Sequence, residues 1–151
     1  GMVFSIAWHY LHDRALAEEV AQDVFLQLYR DLGQIEDADH VKHWLRRVAA
    51  HRSIDQLRAR RARPHVALEE APALAARERE ADPLMSRLLR RMVASLPAQA
   101  RMMVVLRYQE ELDPVEIAEI LNVPVRTVRT RLHRALNLLR EKVNRQQQVS
   151  S

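Results

Sequence analysis

"DPVEIAEILNVPVRTVRTRL", residues 113–132, holds two short apolar patterns separated by a turn, and the turn decides the fold. Asp113 can cap a helix, Pro114 suits a first helical position, and Glu116 completes a capping box. Ala118 is small where two crossing helices must approach closely. Asn122 is one of the few residues besides glycine that tolerate a left-handed backbone. Val128 then points back into the angle between the helices. Each position has its own steric reason, and together they predict a helix-turn-helix.

The second of these helices continues well past residue 132. On a helical wheel Val125, Val128, Leu132, Ala135, Leu136, Leu139 and Val143 share one face. Arg126, Thr130, His133 and Asn137 lie opposite, Arg129 and Arg134 stand on the shoulders, and Arg131 lies nearer the apolar stripe. A solvated face or a coiled-coil flank would also show arginines. This helix, however, has Glu141 alone to set against seven cations over residues 124–145, and it follows a helix-turn-helix. Cations, a hydroxyl, an imidazole and an amide on one surface suit phosphate oxygens and base edges. The reading is a DNA-contacting helix.

The rest of the charge is sorted along the chain too. Residues 13–39 hold eight acids against Arg14 and Arg30, whereas residues 44–63 hold seven arginines against Asp55 alone. Two basic helices and one acidic helix predict two contacts with a polyanion and one with something else. The net charge of +4 conceals this pattern. With 151 residues, 48% hydrophobic, and glycine only at positions 1 and 33, the composition favours an all-α fold. Gly1 before Met2 reads as a scar of tag removal. No apolar run approaches membrane-spanning length, which predicts no membrane insertion. The chain contains no cysteine, which excludes disulfides and thiolate metal sites and fits a reducing cytoplasm.

Two self-sufficient apolar patterns flank a proline-rich acidic stretch. In the first, Leu16, Val20, Val24, Leu28 and Leu32, with Ala17, Ala21 and Phe25 beside them, predict an amphipathic helix over residues 13–32. A second long helix starts near His40, with Val41, Trp44, Leu45, Val48, Ile54 and Leu57 as its buried stripe. "VFSIAWHYL", residues 3–11, reads as the end of a shortened helix. The expected organisation is a domain at 2–63, a flexible linker at 64–83 with a short helical stretch at 73–80, and a domain at 84–145. Pro97, Pro114 and Pro124 mark helix starts in the second domain, and the glutamine-rich tail is expected to fray.

The remaining candidates for chemistry read as structure. His9 with His12, and His40 with His43, have helical spacing but no carboxylate or thiol partners at matching distance, so no metal site is expected. Trp44 lies on the apolar stripe and reads as core, and Asp55 as an ion-pair partner. With no glycine-rich phosphate loop, nucleophile elbow or convincing carboxylate pair, the chain shows no catalytic residues and calls for no cofactor.

Taken in order, these residues resemble a bacterial sigma factor of the sigma-70 family, in its extracytoplasmic-function (ECF) group. "AEEVAQDVFLQLYRDL" resembles the family's region 2.2, and "HWLRRVAAHRSIDQLRARR" its regions 2.3 to 2.4. "LPAQARMMVVLRYQEELDPVEIAEILNVPVRTVRTRLHRALNLLRE" resembles region 4 almost throughout. The resemblance implies a cytoplasmic transcription initiation factor that binds core RNA polymerase, at its clamp and flap, and directs it to promoter DNA. By this resemblance Glu19, Asp23, Gln27 and Arg30 would dock on the polymerase. Arg46, Arg47, His51, Arg52, Arg58, Arg60 and Arg61 would follow the −10 element. Arg126, Thr127, Arg129, Thr130, Arg131, His133 and Arg134 would face the −35 element. An anti-sigma factor is an implied further partner. Two rivals remain open from the residues: a helix-turn-helix regulator acting without polymerase, and an adaptor using the region 4-like fold to hold a protein. The chain departs from the family pattern in starting late in its first helix, in the acidic "GQIEDADHVKH", and in Ala50-His51 where Arg-Asn is common.

Overall fold

Aspartates at three helix starts show how local sequence sets the architecture. The computed structural model describes residues 1–63 and 83–149. Helix α1 spans Met2–Leu11, α2 Arg14–Asp31, a 3-10 turn Leu32–Gln34, and α3 Ala38–Arg61. From residue 83 onward come α4 (Pro83–Ala94), α5 (Ala98–Val104), a π turn (Val105–Gln109), α6 (Pro114–Leu121) and α7 (Val125–Val149). Asp13 accepts the Leu16 N–H at 3.0 Å to start α2, and Asp37 accepts that of His40 at 2.7 Å to start α3. Asp113 and Glu116 close the predicted capping box of α6, at 2.9 and 3.3 Å. Asn122 ends α6 in the left-handed region with φ 55°, as the turn requires.

The described residues form no strand, and the fold is all-α. Helices α1, α2 and α3 pack on one another around Ile6, Tyr10, Val20, Val24 and Leu57. The second group closes around Met102, Met103, Leu106, Ile117, Ile120 and Val128. Val128 is fully buried between α6 and α7, and Trp44, at 7% exposure, belongs to the core.

Three local readings are corrected. Phe25 and Leu32, expected on the buried stripe of α2, are 53% and 54% exposed, because α1 and α3 cover one side of the helix only. The segment after Pro97 is interrupted, with the Glu110 N–H reaching back to the Val105 oxygen at 3.3 Å. Glu111 then takes a left-handed φ of 58°. The tail carries α7 to Val149 instead of fraying, since glutamine and arginine propagate a helix that is already nucleated. Of the expected linker, residues 64–82, including the stretch 73–80, lie outside the described residues; Pro83 opens α4.

The two groups meet along a seam where α1 faces the π turn and α3 faces α5 and α6. At its centre Arg101, 3% exposed, donates to the Tyr10 backbone oxygen and lies 5.0 Å over the Tyr10 ring. The Tyr10 hydroxyl donates to the Ala98 oxygen at 2.8 Å. Burial pushes the tyrosine up to about 12. It pulls the Arg101 guanidinium down to about 10, with Arg60 and Arg61 acting in the same direction.

His12 ends α1 in the left-handed region beside this seam, its Nδ1 buried without a hydrogen-bond partner. Burial, first, and Arg101, second, lower its pKa to about 3. Because the unfolded chain binds a proton near the ordinary value and the folded chain does not, this histidine's stability contribution is complete above pH 6.5. It is lost progressively as pH falls from there toward 3. The unfolding midpoint of the wild type should therefore drop between pH 7 and pH 5. His12→Asn, whose side chain tolerates the same backbone, should show a shallower drop by thermal circular dichroism. Equal slopes would remove His12 as the source.

Candidate nucleic-acid and partner interfaces

Helix α7 presents the surface that the wheel predicts. Val128, Leu132 and Ala135 are buried, while Arg126, Arg129, Thr130, Arg131, His133 and Arg134 are exposed and Thr127 is half-buried. The helix starts directly after Pro124, so its first turn projects from the turn that Asn122 makes. His133 and Asn137 sit within 3.3 Å of each other through Nε2 and Nδ2. Arg131 differs from its neighbours, since its guanidinium donates to the Gln99 side chain and is thereby tied to α5.

The basic half of α3 is more committed than its sequence suggests. Arg52 donates to Gln27 Oε1 at 2.6 and 3.1 Å and lies 3.9 Å from Asp23. Arg60 reaches the Leu11 oxygen at 3.2 Å and the Asp13 carboxylate at 3.6 Å. Arg61 donates to the Ala94 and Leu96 oxygens at 3.3 and 3.4 Å, and His51 Nε2 donates to the Ile120 oxygen at 2.9 Å. Arg47 and Arg58 are exposed, and Arg46 is half-buried with its Nε unpartnered. Ala50 is fully buried, so it belongs to the core and not to this surface.

On α2, Glu19 and Arg30 are exposed, while Asp23 and Gln27 are half-buried beside Arg52. Sequence reasoning missed what lies around them. Phe25, Leu26, Tyr29 and Leu32 are all more than half exposed, with Tyr29 at 79%. Phe25, Tyr29 and Leu32 follow i, i+4, i+7 spacing, which makes a second apolar stripe along α2 and into the 3-10 turn after it. The signal was present, because α2 carries more apolar positions than one packed face can bury. An exposed stripe of this kind, bordered by charge, marks a protein-binding face.

Among the described residues no group of three histidines or carboxylates converges on a metal position. His9 Nδ1 instead lies 2.8 Å from the Ser5 oxygen. None of the described helices is long and apolar enough to cross a membrane.

The two halves match two family models in order: Sigma-70 region 2 over residues 1–63 and Sigma-70, region 4, over residues 86–139. The chain is 31% identical to the ECF RNA polymerase sigma-E factor of Escherichia coli, over 83% of this chain and 72% of that protein. It belongs to the sigma-70 family of RNA polymerase sigma factors. Within the family it is similar to ECF proteins, among them the sigma factor SigW of Bacillus subtilis, at 27% identity over 93% of this chain and 82% of that one. The sigma-H factor of Pseudomonas aeruginosa is 30% identical over 88% and 76% of the two chains. The fold of this sigma factor matches that of RpoE in the complex with the anti-sigma factor NepR from Bartonella quintana. The TM-score is 0.76 at 20% identity, covering 95% of this chain and 90% of that one.

Proposed function

We propose that this sigma factor binds core RNA polymerase in the bacterial cytoplasm and directs it to promoters by contacting both a −10 and a −35 element. The observation that carries the reading is the ordered pair of region 2 and region 4 matches, the second ending in a helix with an exposed cationic face. Residues 2–63 form the polymerase and −10 domain, 64–83 the linker, and 84–145 the −35 domain. The apolar stripe Phe25–Tyr29–Leu32 and the charges Glu19, Asp23, Gln27 and Arg30 make the polymerase-docking face. Arg46, Arg47, His51, Arg52, Arg58, Arg60 and Arg61 serve the −10 contact, with Arg47, His51, Arg58 and Arg61 exposed for it as the chain stands. Arg126, Thr127, Arg129, Thr130, His133 and Arg134 serve the −35 contact, and Arg131 braces the recognition helix through Gln99. The role is binding and positioning, with no catalytic residue of its own. An anti-sigma factor that restrains this protein would cover the same α2 and α7 faces.

Run-off transcription with purified core polymerase and a library of random upstream sequences tests the reading. The expected result is initiation at fixed distances downstream of one shared pair of elements. Duplex binding without initiation would replace the reading by a polymerase-independent regulator. Loss of both activities would leave a protein-binding adaptor.

A further inference from the structure

Most of the polar side chains along α2 are engaged within the chain. Glu18 lies 3.1 Å from Arg14 on its own helix, and Asp23 and Gln27 hold Arg52 of α3. Glu19 and Arg30 are exposed, and among the described residues neither makes an ion pair or a side-chain hydrogen bond. They stand 11 residues apart, about 16 Å along the axis and roughly three turns, and so share one face. Gln22, Leu26 and Tyr29 lie between them on that face, with Phe25 at its edge. Phe25, Leu26 and Tyr29 are 53%, 56% and 79% exposed.

This strip is complementary to itself. A second copy of α2 laid antiparallel, with the two-fold axis beside Phe25 and Leu26, sets Glu19 of each copy opposite Arg30 of the other. One symmetry operation pairs both of the free charges. Phe25 and Leu26 of the two copies meet at the axis, and Tyr29 of each falls between Glu19 and Gln22 of the other. A parallel arrangement would instead set like charges face to face.

We propose that this face of α2 binds a second copy of the chain antiparallel, through two Glu19–Arg30 pairs around a Phe25–Leu26–Tyr29 centre. The same face is the one read above as polymerase-docking, so a second copy and core polymerase exclude each other. That exclusion rests on the proposed function, whereas the self-pairing does not.

The chemistry divides the work between centre and ends. Burial of large exposed apolar side chains supplies the attraction, and aromatic residues are what interface centres are built from. The charges at the ends fix direction and register more than strength. An interface one helix wide falls below the roughly 1,200 Å² of a stable complex, so the pair is weak and exchanges. It covers an apolar stripe in the free protein and yields it to a partner that binds more tightly.

Sedimentation velocity of the full chain tests the pairing. The wild type is expected to pass from monomer to dimer between about 1 and about 100 µM, the range of a small interface. Glu19→Arg or Arg30→Glu alone sets like charges opposite each other at both ends and should weaken the dimer at least about tenfold. Mixed in equal amounts, the two variants should dimerise as the wild type does, because every pair across the mixed dimer is again of opposite sign. Both sites are exposed, so circular dichroism should show unchanged helix content in each variant. A wild type that stays monomeric over this range would overturn the pairing. Single variants that dimerise normally would do the same, as would a mixture that does not recover. Core polymerase added to the labelled dimer provides the second arm. The expected product holds one copy of this chain per polymerase, with the dimer lost in step. A complex that retains two copies would overturn the shared face. A chain that binds no polymerase at all would instead overturn the proposed function, and the sedimentation result would stand without it.

Discussion

Replacing Phe25 and Tyr29 together by alanine is expected to weaken binding to core RNA polymerase by about a hundredfold, the effect of losing an aromatic anchor pair from an interface centre. Both side chains are more than half exposed in the free protein, and their removal opens no cavity. Unfolding should therefore change by no more than about 0.5 kcal/mol. Reversing Glu19 to lysine on the flank of the same helix should act differently, slowing association in a salt-dependent way as rim charges do. Asp23 is less suitable for this comparison, because its reversal would also disturb Arg52. The measurement is surface binding to core enzyme, with chemical denaturation as the control. Affinity within threefold of wild type for the double alanine variant would move the docking face elsewhere.

The second large effect is expected on α7. Thr130 and His133 occupy the outermost face, and short or planar polar ends there can approach base edges in a major groove. Thr130→Ala or His133→Ala should cost about 1–3 kcal/mol on the preferred −35 sequence and much less on variants at the contacted base. Arg134, on the shoulder, can reach a guanine edge or a phosphate, and the same assay assigns it. Arg131→Ala should differ, because its guanidinium is tied to Gln99. Its loss should weaken all sequences alike and only modestly, with little change in salt slope. A randomised −35 library assayed at two salt concentrations separates these patterns. Uniform weakening by all the substitutions would mean that this helix grips DNA without reading it.

The parts of this protein visible in its letters are those governed by short-range rules. The Asp113–Glu116 box, the left-handed Asn122 and the buried face of α7 each depend on residues within a few positions of one another. The seam does not. Arg101 meets Tyr10 across 91 positions, and within its own helix "PAQARMMVV" gives no sign that an arginine there is buried. For the same reason His51 and Arg61 read as free polar side chains until the second helical group is seen beside them. The π turn escaped because it needs no special residue, only the tertiary demand that Leu106 within it and Leu112 beyond it both be buried. On α2 periodicity marked the apolar positions correctly but could not say how many neighbours would cover them, and Phe25 and Leu32 were placed inward on that account.

Helix α7 runs unbroken from Val125 to Val149, with its cationic face near one end and Lys142 donating to the Ser95 hydroxyl near the other. From Val125 to Lys142 the rod is about 25 Å long at 1.5 Å per residue. A straight rod of that length is a lever. A tilt of about 5° as its first turns settle into a groove would carry Lys142 by about 2 Å, enough to part it from Ser95. Seating of the arginines would thus reach Ser95 mechanically, in the short turn that joins α4 to α5.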